Sequence, residues 1–316
     1  MARRPLTLVG GGSELARLVC QLIVPPQLCS VVGSTAALAL TQVPAAVGVR
    51  IDATTRSIAD GPPQIRLAAA IVEAIERFPD TQRVIVVLDE ADDVASAAFT
   101  ILSDEAVRRL VHLDGIVATV DAVQLSTRLM AEQPVDTPQG LDRLAIADRI
   151  LVARSRDVTP SAFSAVVHVL RSINQTGPIL APAIAPCALD DLLDLDAWST
   201  SPAIGWRPDS ASPFLSPDAP SIAVCRVGQP VDSQALDRWL DQVLTDHASR
   251  VLRVLGSVSV TSSRRRTFLH GVRSCLVRSH GAAGQLDGRD EQGLVAFVGR
   301  QLPADALQRS FASCLQ

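Results

Sequence analysis

The sequence predicts an α/β protein, a doubly wound parallel sheet followed by a small α+β unit of ferredoxin-like type. Three observations carry this. Through residues 1–190, short apolar runs alternate with stretches of helical periodicity. "RVIVVL" (Arg83–Leu88) is a continuous β-branched run, of the kind that a parallel sheet buries on both faces. Beyond a Pro- and Ser-rich stretch the order changes, and strands outnumber helices. The expected organisation is a first domain over 1–198, a linker over 199–220 and a second domain over 221–316.

Each element has a local reason. Leu6–Val9 is an apolar strand running into Gly10, Gly11 and Gly12, with an amphipathic helix expected over Glu14–Ile23. "LCSVVG" (Leu28–Gly33) is a second strand. "PPQIRLAAAIVEAIERF" (Pro62–Phe78) reads as a long helix with Ile65, Ala69, Ile71, Val72 and Ile75 on its buried stripe. "SDEAVRRLVHL" (Ser103–Leu113) reads as a helix with Ser103 as N-cap and acids in its first turn. "GIVATVDA" (Gly115–Ala122) and "DRILVAR" (Asp148–Arg154) are strands around the helix "GLDRLAIA" (Gly140–Ala147). A helix over Thr159–Asn174 takes Thr159 as cap and Pro160 as its first residue, and "PILAPA" (Pro178–Ala183) closes the series as a strand.

In the second domain Ser221–Val227, Val251–Val260 and Gly293–Arg300 read as strands, and Arg266–Ser279 as a strand or hairpin arm. Ser233–His247 and Pro303–Gln316 read as helices.

Composition narrows the function. Hydrophobic residues make up 47% and charged residues 20%, the latter below the roughly 25% of average domains, which favours a compact core. A net charge of −4 gives no electrostatic reason to expect nucleic acid or an anionic membrane as partner. No apolar run approaches the ~18–20 residues that span a bilayer, and "MARRPLTLV" is too short for a signal peptide, so a cytoplasmic location is expected. The six cysteines are scattered without a CxxC pair and read mostly as buried core thiols. All 29 basic residues are arginine. That excludes a Schiff base, a lysine general base and a P-loop lysine anywhere in the chain.

The glycine turn poses the central question. A phosphate-binding P-loop needs a lysine and a hydroxyl residue where the helix begins, and Glu14, Leu15, Ala16 and Arg17 stand there. Gly10, Gly11, Gly12 and Ser13 either retain some anion binding through backbone N–H groups or form a tight strand–helix turn. A dinucleotide fingerprint would need a third glycine where Leu15 sits. The acidic run Leu88–Asp93, "LDEADD", is either a hard-cation site or a solvated loop. Asp121 either belongs to a site at the sheet edge or caps the following turn. His168, amid apolar residues, reads as a core or rim histidine. A metal triad of His270, Cys275 and His280 would need a bend, because Cys275 faces away in a regular strand. "SSRRR" (Ser262–Arg266) reads as a solvated basic tip, with phosphate or RNA contact as the other reading. No arrangement for nucleophilic catalysis is legible.

Several stretches resemble the CobW family of P-loop GTPases, whose members include metallochaperones. "LDGIVATVDAVQL" (Leu113–Leu125) is similar to the family's strand with its Val-Asp-Ala turn, and "LDRLAIADRILVARSRDVT" (Leu141–Thr159) to the helix and strand before its guanine motif NKxD. "RVLRVLGSV" (Arg250–Val258), "HGV" (His270–Val272) and "LVAFVGRQLPADALQRSFASCL" (Leu294–Leu315) resemble the family's C-terminal domain. The resemblance implies a P-loop-NTPase-like sheet domain followed by a CobW C-terminal domain. Carried over residue by residue, the nucleotide motifs are degenerate. The family's GxxxxGKT falls on Gly10–Arg17 without its lysine or magnesium-binding hydroxyl, leaving Gly10, Gly11, Gly12, Ser13 and Arg17 as a vestigial phosphate loop. Aligning "LDEADD" with the family's "GLADP" puts Val86 at the Glu and Asp89 at the Gly. "ARSR" (Ala153–Arg156) puts Ala at the Asn and Arg at the Asp of NKxD, so Arg154 and Arg156 mark a degenerate guanine site. "DGPPQ" (Asp60–Gln64) stands where the family's metal-binding CxCC would be. The resemblance therefore implies a pseudo-GTPase: no catalytic residue, no metal site and no cofactor, acting as an adaptor through another protein such as a paralogue or a metalloenzyme. The alternative is a divergent metallochaperone using GTP and magnesium and handling zinc or cobalt.

Overall fold

In the computed structural model, which describes residues 3–11, 29–33, 49–50, 63–89, 92–184, 191–198, 215–261, 265–281 and 293–315, the first sheet has seven strands. These are β1 (Arg4–Gly10), β2 (Cys29–Gly33), β3 (Val49–Arg50), β4 (Arg83–Leu88), β5 (Val111–Asp121), β6 (Arg149–Ala153) and β7 (Ile179–Leu180). They pair in parallel in the order β3-β2-β4-β1-β5-β6-β7. The order reverses between β4 and β5, on either side of β1, the place where open α/β sheets put their sites.

Helices cover both faces. Leu6, Leu8, Val84 and Val86 join one core with α1 (Pro63–Arg77) and α2 (Val94–Ser103). Ala118, Val120, Ile150 and Val152 join another with α4 (Ala122–Met130), α5 (Pro138–Ile146) and α6 (Pro160–Ile173). Between α2 and β5 lies the short α3 (Glu105–Leu110). The helix α6 starts as expected, the Thr159 hydroxyl accepting the Ala162 N–H at 3.3 Å with Pro160 next.

Three local expectations are corrected. Ala69 of α1 is exposed, and the buried stripe runs through Leu67, Ile71, Ala74 and Ile75, a spacing that keeps one face inward. Ile65 lies outside the described side chains. Ser103 does not cap a helix. It ends α2, donating its hydroxyl back to Phe99 O at 2.7 Å, and the Asp104 carboxylate caps α3 by accepting Val107 N–H at 3.0 Å. The helix then stops at Leu110, because Val111 onward pairs with β1. The expected helix over Glu14–Ile23 lies outside the described residues, as does most of the linker.

The second sheet is antiparallel, with β8 (Ser221–Val227), β9 (Val251–Ser259), β10 (Arg266–Val272), β11 (Cys275–His280) and β12 (Gly293–Gly299) in the order β11-β10-β9-β12-β8. Because β12 lies between β8 and β9, the β8–α7–β9 unit is split as in ferredoxin-like folds, and the β10–β11 hairpin extends it. Helices α7 (Ser233–Asp246) and α8 (Ala304–Phe311) cover one face, where Trp239 meets Phe297 and Phe311 at ring distances of 5.6 and 4.6 Å. Cys225 and Cys314 are buried in that core. Burial, reinforced by the neighbouring Cys314, pushes the Cys225 thiol up to about 12, so it stays protonated.

The opposite face packs on the first domain. Leu252, Val272 and Val277 join the α1–α2 core, while Val298 joins the α4–α6 core. At the centre of this contact Asp148, at the end of α5, accepts Ile116 N–H at 2.9 Å and the Trp198 indole N–H at 3.2 Å. Arg253 of β9 is salt-bridged to the same carboxylate and donates to Ile146 O, its guanidinium 5.2 Å from the Trp198 ring. The His270 ring lies tilted against Trp198, with centroids 5.8 Å apart.

Candidate functional site

The edge where β1, β4, β5 and β6 end is built from backbone and small side chains. Gly10 closes β1, opposite Leu88 of β4 and Ala118 of β5. A Cβ on Gly10 would come within 2.7 Å of Arg143 Cδ and 2.9 Å of Val94 Cγ2. Gly11 has φ 155°, donates its N–H to Leu88 O at 3.4 Å, and lies so close to Thr119 that a Cβ would collide with the Thr119 hydroxyl. Packing disfavours a side chain at both positions, and at Gly11 the positive φ adds to it. Gly12, Ser13 and Arg17 lie outside the described residues.

Where the family carries a glutamate, Val86 is fully buried in the strand and in the α1–α2 core. The acidic run after it starts a helix that the alanine-rich sequence does not advertise. Asp89 N–H donates to the Asp92 carboxylate at 2.7 Å. Burial, then the nearby Asp89 charge, raises the Asp92 carboxyl, against the lowering effect of that hydrogen bond. Asp93 is the N-cap of α2, accepting Ser96 N–H at 2.9 Å and the Ser96 hydroxyl at 2.7 Å, and it pairs with Arg273 of the second domain at 2.6 Å. Close by, Arg300 pairs with Asp142 at 2.5 Å and donates to Pro138 O at 2.9 Å. Burial raises the Asp142 carboxyl, and Arg300 opposes that shift. Asp93→Ala should therefore cost about 1–2 kcal/mol, a lost cap plus a half-exposed ion pair, and Arg273→Ala about 1 kcal/mol or less, measured by denaturant unfolding.

At the end of β5, Asp121 caps α4, accepting Val123 N–H at 2.8 Å and Gln124 N–H at 3.0 Å. Its other oxygen is salt-bridged to Arg154, which stands just past β6 with φ 51°. Arg156 is exposed, two residues on, and Ser155 between them is buried. The turn also carries Asp157, whose N–H donates to Arg154 O at 3.1 Å. The structure thus brings Gly10, Gly11, Asp121 and Arg154 to one edge.

Sequence reasoning missed Arg143 and Asp136. Arg143 is buried, packs its stem on Gly10 and reaches Asp136 at 3.3 Å. Its only sequence signal is an arginine inside a helical apolar stretch. With Thr119 and Asp121 these residues line a cavity of about 60 Å³. That has room for about two waters.

The other candidates separate. Arg266 is engaged with β9, donating to the Ser257 hydroxyl at 2.8 Å and to Ser257 O at 3.1 Å, while 262–264 lie outside the described residues. His168 is exposed on α6 rather than buried. His270, Cys275 and His280 do not lie on one regular strand. The chain turns at Arg273, so His270 faces Val277 in the hairpin and His280 faces Thr267. Among the described residues no group of three His, Cys, Asp or Glu could hold a metal ion, and no helix is long and apolar enough to cross a membrane.

Comparison with known proteins supplies the wider context. Residues 221–315 match the profile described as cobalamin synthesis protein cobW C-terminal domain. Over 222 residues the chain is 26% identical to the zinc chaperone YjiA of Escherichia coli (strain K12), covering 67% of this chain and 64% of that protein, just under two thirds of its length. The fold is similar to the crystal structure of Zn(II)-bound YjiA GTPase from E. coli, with a TM-score of 0.73 at 18% identity and 100% of both chains covered. A Zn(II)-bound triple mutant of the same GTPase gives a TM-score of 0.75 at 17% identity, again over 100% of both chains.

Proposed function

Starting from a chain that belongs to the CobW family of P-loop GTPases in fold and C-terminal domain, we propose that it acts as a non-hydrolysing adaptor, binding another protein rather than turning over nucleotide. The observation that carries this reading is the Arg154–Asp121 pair. A guanine base is read by an aspartate carboxylate and an asparagine amide. Here the turn places Arg154 and Arg156 at the motif positions, with Asp157 one position on, and Asp121 at the end of β5 is already committed to a helix cap and to Arg154. In the segment after β4, Asp93 is engaged as the cap of α2 and in a part-exposed ion pair with Arg273 of the second domain. A sheet edge whose carboxylate is already engaged suits a partner platform, such as one for a paralogue or a metalloenzyme. This reading places the protein in the cytoplasm, in keeping with free thiols at Cys225, Cys275 and Cys314.

A second reading is a divergent metallochaperone that uses GTP with magnesium and handles zinc or cobalt. It is favoured by Asp157, a carboxylate in the base-reading turn one position past Arg156, and by the likeness to a protein named as a zinc chaperone.

Titration of the full chain with GTP, GDP and ATP plus magnesium, read by calorimetry, separates the two. The adaptor reading expects no heat and no thermal stabilisation up to millimolar nucleotide. Micromolar GTP binding, abolished by Asp157→Ala, would overturn it in favour of the second.

A further inference from the structure

A second cavity lies far from that edge. At the opposite, N-terminal end of β1 and β5, a space of about 450 Å³ opens between the two domains. This falls in the range of small-molecule pockets, about 300–1,000 Å³. Its apolar wall comes from Ile101 and Leu102 of α2, Val111 and Leu113 of β5, Val277 of β11, and Trp198. The Trp198 indole N–H is already donated to Asp148, so what remains for a ligand is ring carbon.

The polar lining is one-signed. Arg3, Arg108 and Arg278 border the cavity with His112 and Ser279, and among the described residues no carboxylate does. Arg278 is salt-bridged to Asp237. Arg3 and Arg108 have no ion pair among the described residues, and both are exposed enough to turn toward the opening. Two guanidinium groups without an ion pair among the described residues, beside an apolar wall, suit an oxyanion whose remainder is apolar. A free inorganic anion would leave the wall wet, and a neutral hydrocarbon would leave the arginines without a partner.

We propose that this interdomain cavity binds a small amphipathic anion, with a carboxylate or phosphate head at Arg3 and Arg108 and an apolar tail against Ile101, Leu113, Val277 and Trp198. The site is independent of the nucleotide edge. It would make the contact between the domains sensitive to a metabolite, because its wall draws on both.

Calorimetry on the full chain tests this with four probes: decanoate, decyl phosphate, decanol and inorganic phosphate. Saturable one-to-one binding of at least one amphipathic anion is expected, with decanol and inorganic phosphate weaker by at least about tenfold. Preference between decanoate and decyl phosphate identifies the head group. The double variant Arg3→Gln, Arg108→Gln, at exposed positions, should weaken anion binding by about tenfold or more while leaving decanol unchanged. Ser279→Phe, which narrows the cavity from a half-buried strand position and keeps both arginines, should abolish it, with melting temperature as the check on folding. No heat with either anion at millimolar concentration, decanol binding equal to decanoate, or undiminished binding in the arginine double variant would each overturn the proposal.

Discussion

Replacing Asp148 with alanine should destabilise the protein by about 3–5 kcal/mol, the cost of leaving a buried charge without its partner. Asp148 is 8% exposed and Arg253 2% exposed. The carboxylate serves three donors: Ile116 N–H, the Trp198 indole and Arg253. Without it, the Arg253 guanidinium would keep Ile146 O and the Trp198 ring but lose its counter-charge in the middle of the domain contact. Arg253→Met should cost less, because the carboxylate would retain two N–H donors and the methionine would fill the apolar surround. Denaturant unfolding of both variants and of the double replacement would give the coupling. Equal costs for the two single changes, adding in the double, would mean that the pair does not couple the two domains.

Gly11→Ala should cost about 2–4 kcal/mol, combining a collision in a close-packed core with a backbone conformation that L residues avoid. The collision is with the Thr119 hydroxyl, which itself donates to Gly10 O at 3.3 Å. Thr119→Ala in the same chain should recover the steric part and leave the part due to φ. Thermal unfolding of the single and double variants measures both. If Gly11→Ala were neutral, the turn would be loose, and neither Thr119 nor the positive φ would require a glycine there. The result bears on the turn itself, because Thr119 is what excludes a side chain at Gly11.

How much was legible differs by level. The strands β4 and β8 and the start of α6 could be read to the residue, since each rests on neighbours: a β-branched run, alternation, or a Thr-Pro cap. The helix α2 was not legible. Its sequence, VASAAFTILS, is apolar around most of its circumference, which removes the amphipathic contrast that marks a surface helix. Its cap, Asp93, looked like one acid in a solvated run. The hairpin over 266–280 left two readings open, because nothing local in "HGVRSC" announces that Arg273 takes a positive φ. At the candidate site, Gly10, Gly11 and Arg154 stand out in the sequence through the motifs they resemble, and the structure places them at one sheet edge. Arg143 and Asp136 were not, because a buried arginine and a solvated one look alike in sequence.

The sequence by itself determined the alternation that makes a doubly wound sheet, and it removed lysine chemistry outright, since a residue absent from the chain cannot be supplied by any fold. Only the tertiary structure decided that Asp121 answers Arg154, that Thr119 excludes a side chain at Gly11, that Asp148 meets Arg253 105 positions away, and that Arg3 and Arg108 face one cavity. The reason is range. Helix caps and strand alternation are set by residues a few positions apart, whereas the partner of a charge is set by which faces of which elements come together.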